Sequence, residues 1–133
     1  MAKITIFHNP RCSKSRNGVA CLRENNTDNQ YNLEVVEYTK NPPSQETLRA
    51  LGNYLGIEQQ DPASRPWEVL LRPEAKKRAN SLEEAYALIE ENPLLLERPF
   101  VIDWERKKAA IGRPDASAIE KLIAEHIEFT KQQ

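Results

Sequence analysis

One short segment of the chain brings a thiol together with several basic side chains. Residues 7–16, FHNPRCSKSR, contain Cys12 and four such side chains: His8, Arg11, Lys14 and Arg16. A thiol reacts as a nucleophile only when it is a thiolate, and both nearby cations and a helix N-terminus lower the pKa of a thiol. We therefore predict a reactive thiolate at Cys12 in a site for an anion, although a lone cysteine is more often buried and inert.

A predicted strand ends before this cysteine and a predicted helix begins after it. Residues 3–7 fit a short buried strand, residues 8–10 a turn, and residues 13–24 a helix that Ser13 could cap. The first backbone N–H groups of a helix have no partner within the helix, so they can bind an anion. The segment thus predicts an anion site that contains Cys12.

Two side chains of the same segment are candidate partners of the thiol. His8 could take the proton of Cys12 or stabilise the thiolate when charged, and it could equally be a histidine hydrogen-bonded in a turn. Ser15 stands where the second cysteine of a Cys-X-X-Cys pair would be, and its hydroxyl could donate to the thiolate. We predict Cys12, His8 and Ser15 as catalytic residues.

The other cysteine and the other histidine are predicted to be structural. Cys21 follows Cys12 by nine residues, which along a helix is about 13 Å and half a turn out of phase. A disulfide needs Cα atoms within about 7 Å, so Cys21 is predicted to fill the core as a free thiol. His126, in the last predicted helix, is predicted to be a half-buried packing residue.

Two arginines flank a predicted hairpin, and a third lies upstream of it. Residues 100–103 and 108–111 predict a pair of antiparallel strands, with Arg98 just before the first and Arg113 just after the second. The start of one strand and the end of the next meet at the same edge of such a pair, so both guanidinium groups could reach one anion. An arginine offers a charged, planar set of donors that fits an oxyanion. Arg72 is a third candidate, and each of the three, taken alone, could also be an ordinary surface arginine.

The composition argues against several classes of partner and site. The net charge of −1 provides no basic field that would recruit nucleic acid or a membrane surface. Two cysteines and two histidines are too few for an ordinary structural zinc site. No apolar run approaches the roughly 20 residues of a membrane span, and the N-terminus lacks the pattern of a signal peptide. We therefore predict a cytoplasmic monomer without a bound cofactor, in a reducing compartment that keeps Cys12 as a free thiol.

The order of the predicted elements indicates the fold. A strand, a helix and a second strand occupy residues 3–38, helices follow, and two strands and a last helix complete the chain. This order predicts an α/β, thioredoxin-like fold. The length of 133 residues suits a single domain over residues 1–133.

Four motifs carry a resemblance to a known family. They are HNPRCSKSR at residues 8–16, Tyr38 with Pro42-Pro43, Glu97-Arg98-Pro99 and Gly112-Arg113-Pro114. In these motifs the chain resembles the bacterial arsenate reductases that are coupled to glutathione and glutaredoxin. The resemblance implies a thioredoxin-like fold with a helical insertion between the second strand and the hairpin. It also implies arsenate as substrate, glutathione as co-substrate and glutaredoxin as protein partner.

The resemblance also implies roles for individual residues. Cys12 is implied to be the nucleophile that attacks arsenate. Arg98 and Arg113 are implied to bind the oxyanion and the arsenylated cysteine. Arg72, matched on Leu70-Leu71-Arg72 only, is implied to join them.

Two other functions fit the same fold. A monothiol, glutathione-dependent oxidoreductase that acts on other substrates would use Cys12 but would not need three arginines. A non-enzymatic redox regulator of RNA polymerase would sense oxidants through a cysteine pair, and this chain has Ser15 where the second thiol would be. The arginines and Ser15 therefore favour arsenate reduction.

Overall fold

The computed structural model describes residues 2–133, which form two compact units. The first unit combines the segment up to Glu37 with Arg98–Gln133, and the second unit is Tyr38–Glu97. The strands are β1 (Lys3–His8), β2 (Asn32–Glu37), β3 (Phe100–Asp103) and β4 (Lys108–Ile111). The α-helices are α1 (Ser13–Glu24), α2 (Gln45–Tyr54), α3 (Leu82–Glu91) and α4 (Ser117–Lys131). None of the helices in residues 2–133 is both long and apolar enough to cross a membrane.

The first unit is built on a four-stranded sheet in the order β2-β1-β3-β4. β1 runs parallel to β2 and antiparallel to β3, and β3 runs antiparallel to β4. A parallel pair needs a crossover connection, which α1 supplies, whereas the short connection at residues 104–107 suffices for the β3–β4 hairpin. The predicted α/β class, thioredoxin-like arrangement and helical insertion between β2 and β3 are confirmed.

Period-two and helical spacing determine which residues form the core of this unit. Ile4 and Ile6 lie on the same face of β1 and are fully buried. The buried positions of α1 follow the spacing of one helix face. They are Ser15, Gly18, Val19 and Leu22. One face of the sheet therefore packs against α1, and Ile119, Leu122 and Ile123 of α4 belong to the same cluster.

The N-terminus of α1 differs from the prediction in one respect that matters for the site. The residue at the N-cap position is Cys12, with φ of −99° and ψ of 121°. Ser13 is the first helical residue, so its predicted role as the cap is wrong. The backbone N–H groups at this end are therefore available to the Cys12 sulfur.

A pair of fully buried ionisable side chains joins α4 to the sheet. His126 Nδ1 lies 2.9 Å from Asp103 Oδ2, and both side chains are 0% exposed. Arg106 Nη1 lies 3.7 Å from the same carboxylate oxygen. The ring of Tyr31 meets that of His126 edge-on, with 5.8 Å between centroids. His126 is thus fully buried rather than half-buried as predicted, because Asp103 provides a partner for its ring nitrogen.

We expect the His126→Leu variant to have a free energy of unfolding about 2 kcal/mol lower than that of the wild type, because the buried carboxylate loses its closest side-chain partner. Urea denaturation followed by circular dichroism measures the change. The double variant with Asp103→Asn should lose less than the sum of the two single changes, since the two side chains interact directly. A His126→Leu variant as stable as the wild type would contradict a stabilising role for the pair.

The second unit is helical and has its own buried residues, among them Leu48, Leu51 and Tyr86. α2 and α3 pack together, and each begins at a serine whose hydroxyl accepts a backbone N–H, Ser44 for α2 and Ser81 for α3. The rest of the unit contains short 3₁₀ helices. They are Ile57–Gln59, Pro62–Ser64, Pro66–Leu70, Pro73–Arg78 and Pro93–Leu95.

Candidate active site

Cys12 lies between β1 and α1, at the end of a turn closed by backbone hydrogen bonding. The N–H of Cys12 donates to the carbonyl of Asn9 at 2.9 Å, and the carbonyl of Cys12 accepts from the N–H of Arg16 at 3.0 Å. The first bond closes the turn, and the second belongs to the first turn of α1. The Cys12 side chain is a partly exposed free thiol. It is therefore accessible to solutes, while its backbone is fixed on both sides.

The Cys12 sulfur lies among hydrogen-bond donors from three segments of the first unit. The backbone N–H groups of Ser15 and Lys14 interact with it from α1, and the Arg98 side chain does so from the segment before β3. Arg113 Nη2, from the segment after β4, lies 3.5 Å from Sγ. These donors carry positive charge or stand at the positive end of the helix dipole, so they favour the thiolate over the thiol.

The pKa of the Cys12 thiol is lowered from its ordinary value. Burial is the largest single influence and by itself raises this pKa, because it disfavours the charged thiolate. The backbone N–H of Ser15, the Arg98 side chain and the backbone N–H of Lys14 act in the opposite direction. The positive charge of Arg113 adds to them. Since the donors together outweigh burial, Cys12 has a larger thiolate fraction at neutral pH than an ordinary cysteine.

We expect iodoacetamide to alkylate Cys12 with a pH midpoint below that of an ordinary thiol, and Cys21 with a midpoint above it. Burial raises the pKa of Cys21, and the charges of Glu120 and Glu24 raise it further. Only the thiolate reacts, so each rate should rise as the pH passes upward through the pKa of that thiol, and at pH 7 Cys12 should react first. Peptide mass spectrometry after timed alkylation reads both sites in one sample. Equal midpoints would contradict the stabilisation of the Cys12 thiolate.

The hairpin of β3 and β4 holds Arg98 and Arg113 side by side at its open end. Arg113 Nε donates to the carbonyl of Arg98 at 2.6 Å, and the N–H of Gly112 donates to the carbonyl of Pro99 at 2.9 Å. The peptide bonds that link the two arginines to their following prolines are both cis. A Cβ at Gly112 would lie 2.7 Å from the Pro99 ring, so glycine permits this close approach.

The fully buried Ser15 hydroxyl links the end of β1 to α1. Its oxygen lies 2.6 Å from His8 Nδ1 and accepts the N–H of Asn9 at 2.9 Å. The hydroxyl is thus bonded to the strand end, and it is the backbone N–H of Ser15 that interacts with the Cys12 sulfur. Burial, the largest influence, lowers the pKa of His8, so the ring is mostly neutral at pH 7. A neutral His8 supplies no positive charge for the thiolate and contacts the site through Ser15.

Arg72 belongs to the second unit, whereas Cys12, Arg98 and Arg113 belong to the first. Its Nη1 pairs with Glu97 Oε1 at 2.7 Å, and its side chain is 23% exposed. The N–H of Arg72 donates to the carbonyl of Leu95 at 2.8 Å. The role of Arg72 as an oxyanion ligand stays a prediction.

Cys21 is a free thiol like Cys12, as predicted. Its side chain packs against the core of the first unit, and Asn25 Nδ2 lies 3.8 Å from its sulfur. The side chain is only partly buried, so Cys21 packs against the core and does not fill it as predicted. Within residues 2–133, no three His, Cys, Asp or Glu side chains are grouped in a way that could hold a metal ion.

Asn9 is a candidate site residue that the sequence analysis predicted only as part of a turn. It is 8% exposed, and its Oδ1 accepts the N–H of Arg11 at 3.0 Å. The signal was present in the sequence, because asparagine followed by proline is favoured at the first two positions of a turn. The backbone N–H of Lys14, in contrast, was already part of the predicted anion site.

Comparison with known proteins identifies relatives along nearly the whole chain. Residues 1–112 match the family model described as "Protein of unknown function (DUF1687)". The Escherichia coli K12 protein named "Uncharacterized protein YfgD" is 40% identical over 121 residues, which cover 89% of this chain and 95% of that protein. The arsenate reductase of Neisseria meningitidis serogroup A is 37% identical over 115 residues, which cover 86% of this chain and 93% of that protein. The solved structure of an arsenate reductase from Vibrio cholerae matches with a TM-score of 0.68 at 30% identity, over 90% of this chain and 97% of that one.

Proposed function

This chain belongs to the arsenate reductase family, and we propose that it reduces arsenate to arsenite with Cys12 as the nucleophile. The observation that carries the proposal is the position of the Cys12 sulfur, which lies 3.5 Å from Arg113 Nη2 and is hydrogen-bonded by the Arg98 side chain. A thiolate beside two guanidinium groups suits an anionic electrophile, because the cations offset the repulsion between two negative charges.

In the proposed reaction the Cys12 thiolate attacks the arsenic atom, and an arsenate oxygen leaves as water when the sulfur–arsenic bond forms. The glutathione thiolate then attacks the Cys12 sulfur, so that a disulfide forms between Cys12 and glutathione while the sulfur–arsenic bond breaks and its electron pair leaves with arsenic. The two thiols supply two electrons, arsenic passes from the +5 to the +3 state, and arsenite leaves. One arsenate and two thiols therefore give one arsenite, one disulfide and one water, without a bound cofactor.

Regeneration of Cys12 completes the proposed cycle. Glutaredoxin, with a further glutathione as reductant, reduces the mixed disulfide and releases Cys12 as a thiol. The order of these steps is what membership of the family implies. Exchange at this disulfide requires access to the Cys12 sulfur, and the side chain is partly exposed. The protein would act in the cytoplasm, where both thiol reductants are kept reduced.

The site residues have separate roles in the proposal. Arg98 and Arg113 bind the oxyanion and the arsenylated cysteine, and both also lower the pKa of the Cys12 thiol. Ser15 holds the thiolate through its backbone N–H, while its hydroxyl and the neutral ring of His8 keep the strand end in place. Arg72 is proposed as a third ligand of the oxyanion from the family resemblance.

The experiment that tests the proposal compares two substrates under the same conditions. With glutathione and glutaredoxin present, the wild type should form arsenite at a rate that saturates with arsenate. Phosphate, which has the same shape and charge, should compete with arsenate. Reduction of a glutathione mixed disulfide without any arsenite formation would identify the chain as a monothiol oxidoreductase instead.

A further inference from the structure

Asn9 makes hydrogen bonds to three other residues around the nucleophile. Its carbonyl accepts the N–H of Cys12 at 2.9 Å, and its side-chain Oδ1 accepts the N–H of Arg11 at 3.0 Å. Its own N–H donates to the buried Ser15 hydroxyl at 2.9 Å. Because Asn9 is only 8% exposed, these bonds are largely shielded from water, and leaving one of them unmade is costly.

The residue type at this position determines the shape of the turn. An asparagine at the first position of a turn accepts the N–H two residues later, which reproduces a backbone turn with its side chain. Pro10 follows and presets φ at the second position. Asn9 and Pro10 together therefore restrict the conformations through which the chain can reach Cys12.

The conformation of this turn determines where the Cys12 sulfur lies. Cys12 leaves the turn in extended conformation, and the next residue is already helical. A small rotation of the turn would move Sγ away from the backbone N–H of Ser15 and from Arg113 Nη2, which lies at 3.5 Å. Hydrogen bonds to a thiolate weaken as their distance and angle depart from the best values.

We propose that Asn9 is the positioning residue of the nucleophile: its side chain fixes the turn that sets the Cys12 sulfur among its donors. Asn9 acts through the turn and not by contact with the substrate. The inference rests on the proposed function of Cys12 as the nucleophile, and it assigns a specific part of the catalytic rate to a side chain outside the anion site.

The experiment uses the full chain in three variants, Asn9→Ala, Asn9→Ser and Asn26→Ala. Alanine removes the acceptor for the Arg11 N–H, and serine keeps a weaker one. Asn26 is the matched control, because its Oδ1 accepts the N–H of Tyr31 at 3.1 Å and its Nδ2 donates to the carbonyl of Tyr31 at 2.9 Å. It lies just beyond the C-terminal end of α1, whereas Cys12 precedes the first residue of that helix.

Two readouts are measured on each variant: the rate at which iodoacetamide alkylates Cys12 at pH 6, and the kinetics of arsenite formation. We expect Asn9→Ala to slow alkylation about tenfold and to lower kcat about tenfold, since misplacement of a reacting group costs rate. KM for arsenate should change little, because the arginines that bind the oxyanion remain. Asn9→Ser should fall between Asn9→Ala and the wild type, and Asn26→Ala should match the wild type in both readouts.

The alkylation readout separates this inference from the proposed function. If the wild type formed no arsenite but Asn9→Ala still slowed alkylation of Cys12, the proposed substrate would be wrong and the positioning role would stand. Wild-type rates in Asn9→Ala, or equal slowing in Asn26→Ala, would overturn the positioning role. If Asn9→Ala does not fold, the Asn9→Ser variant tests the positioning role instead. Wild-type rates of alkylation and arsenite formation in Asn9→Ser would overturn that role. Slower alkylation of Cys12 with an unchanged KM for arsenate would support it.

Discussion

Replacement of Cys12 by serine should abolish arsenite formation, with a loss on the order of a thousandfold or more. A hydroxyl stays protonated at neutral pH and is a much weaker nucleophile than a thiolate. It also forms no disulfide with glutathione, so the source of the two electrons is lost. Serine is similar in size to cysteine, and Cys12 is partly exposed, so the fold should be retained. The rate of arsenite release with glutathione and glutaredoxin present measures the effect.

The control for this variant is Cys21→Ser. Cys21 is also a partly buried free thiol and lies in α1, but its pKa is raised rather than lowered, first of all by burial. Its replacement should leave arsenite formation close to that of the wild type. Activity that survives in Cys12→Ser and disappears in Cys21→Ser would show that the wrong thiol has been assigned as the nucleophile.

The Arg113→Ala variant should lose about a hundredfold in kcat/KM for arsenate. The change removes the Nη2 group 3.5 Å from Cys12 Sγ and the Nε group that donates to the carbonyl of Arg98 at 2.6 Å. Both binding of the oxyanion and stabilisation of the thiolate are weakened, so KM should rise and kcat should fall. Arg113→Lys keeps the charge but loses the planar set of donors, and we expect it to lose about tenfold.

The same variant should also change the pH dependence. The positive charge of Arg113 lowers the pKa of Cys12, so its removal raises that pKa and reduces the thiolate fraction at a given pH. The acid limb of the pH–rate curve should therefore move to higher pH. Steady-state rates of arsenite formation measured across the pH range give both the size of the loss and this shift.

Arg106→Ala is the control for the loss of an arginine. The Arg106 side chain is 14% exposed and contacts Asp103 and Glu125, and it lies at the turn end of the hairpin rather than at the open end. Its removal should lower stability and leave KM for arsenate nearly unchanged. An equal loss of kcat/KM in Arg106→Ala and Arg113→Ala would contradict a specific role for Arg113.

Those parts of the site that depend on local spacing were predictable from the sequence. The bounds predicted for the hairpin, residues 100–103 and 108–111, agree with β3 and β4. A short turn forces the two strands to run antiparallel, so their outer ends must come together. The strand, turn and helix around Cys12 were also predictable, because proline and the apolar pattern mark the boundaries.

Other parts depend on tertiary packing, which the sequence does not reveal. Ser15 lies seven residues after His8, and only the rotation of α1 against β1 decides that its hydroxyl reaches His8 while its N–H reaches Cys12. The burial of His126 could not be predicted, because its partner Asp103 is on β3, 23 residues away along the chain. The start of a helix can be predicted only to within one or two residues. The predicted N-cap was therefore Ser13, whereas the N-cap in the structure is Cys12.

The measurement that tests the central claim most directly is mass spectrometry of the Cys12 peptide after the reduced chain has been incubated with arsenate and glutathione in the absence of glutaredoxin. We predict a glutathione adduct on the Cys12 peptide that requires arsenate, is absent from the Cys21 peptide and disappears when glutaredoxin is added. A Cys12 peptide that stays unmodified in the presence of arsenate, or that carries the same adduct without arsenate, would contradict the claim that Cys12 attacks arsenate.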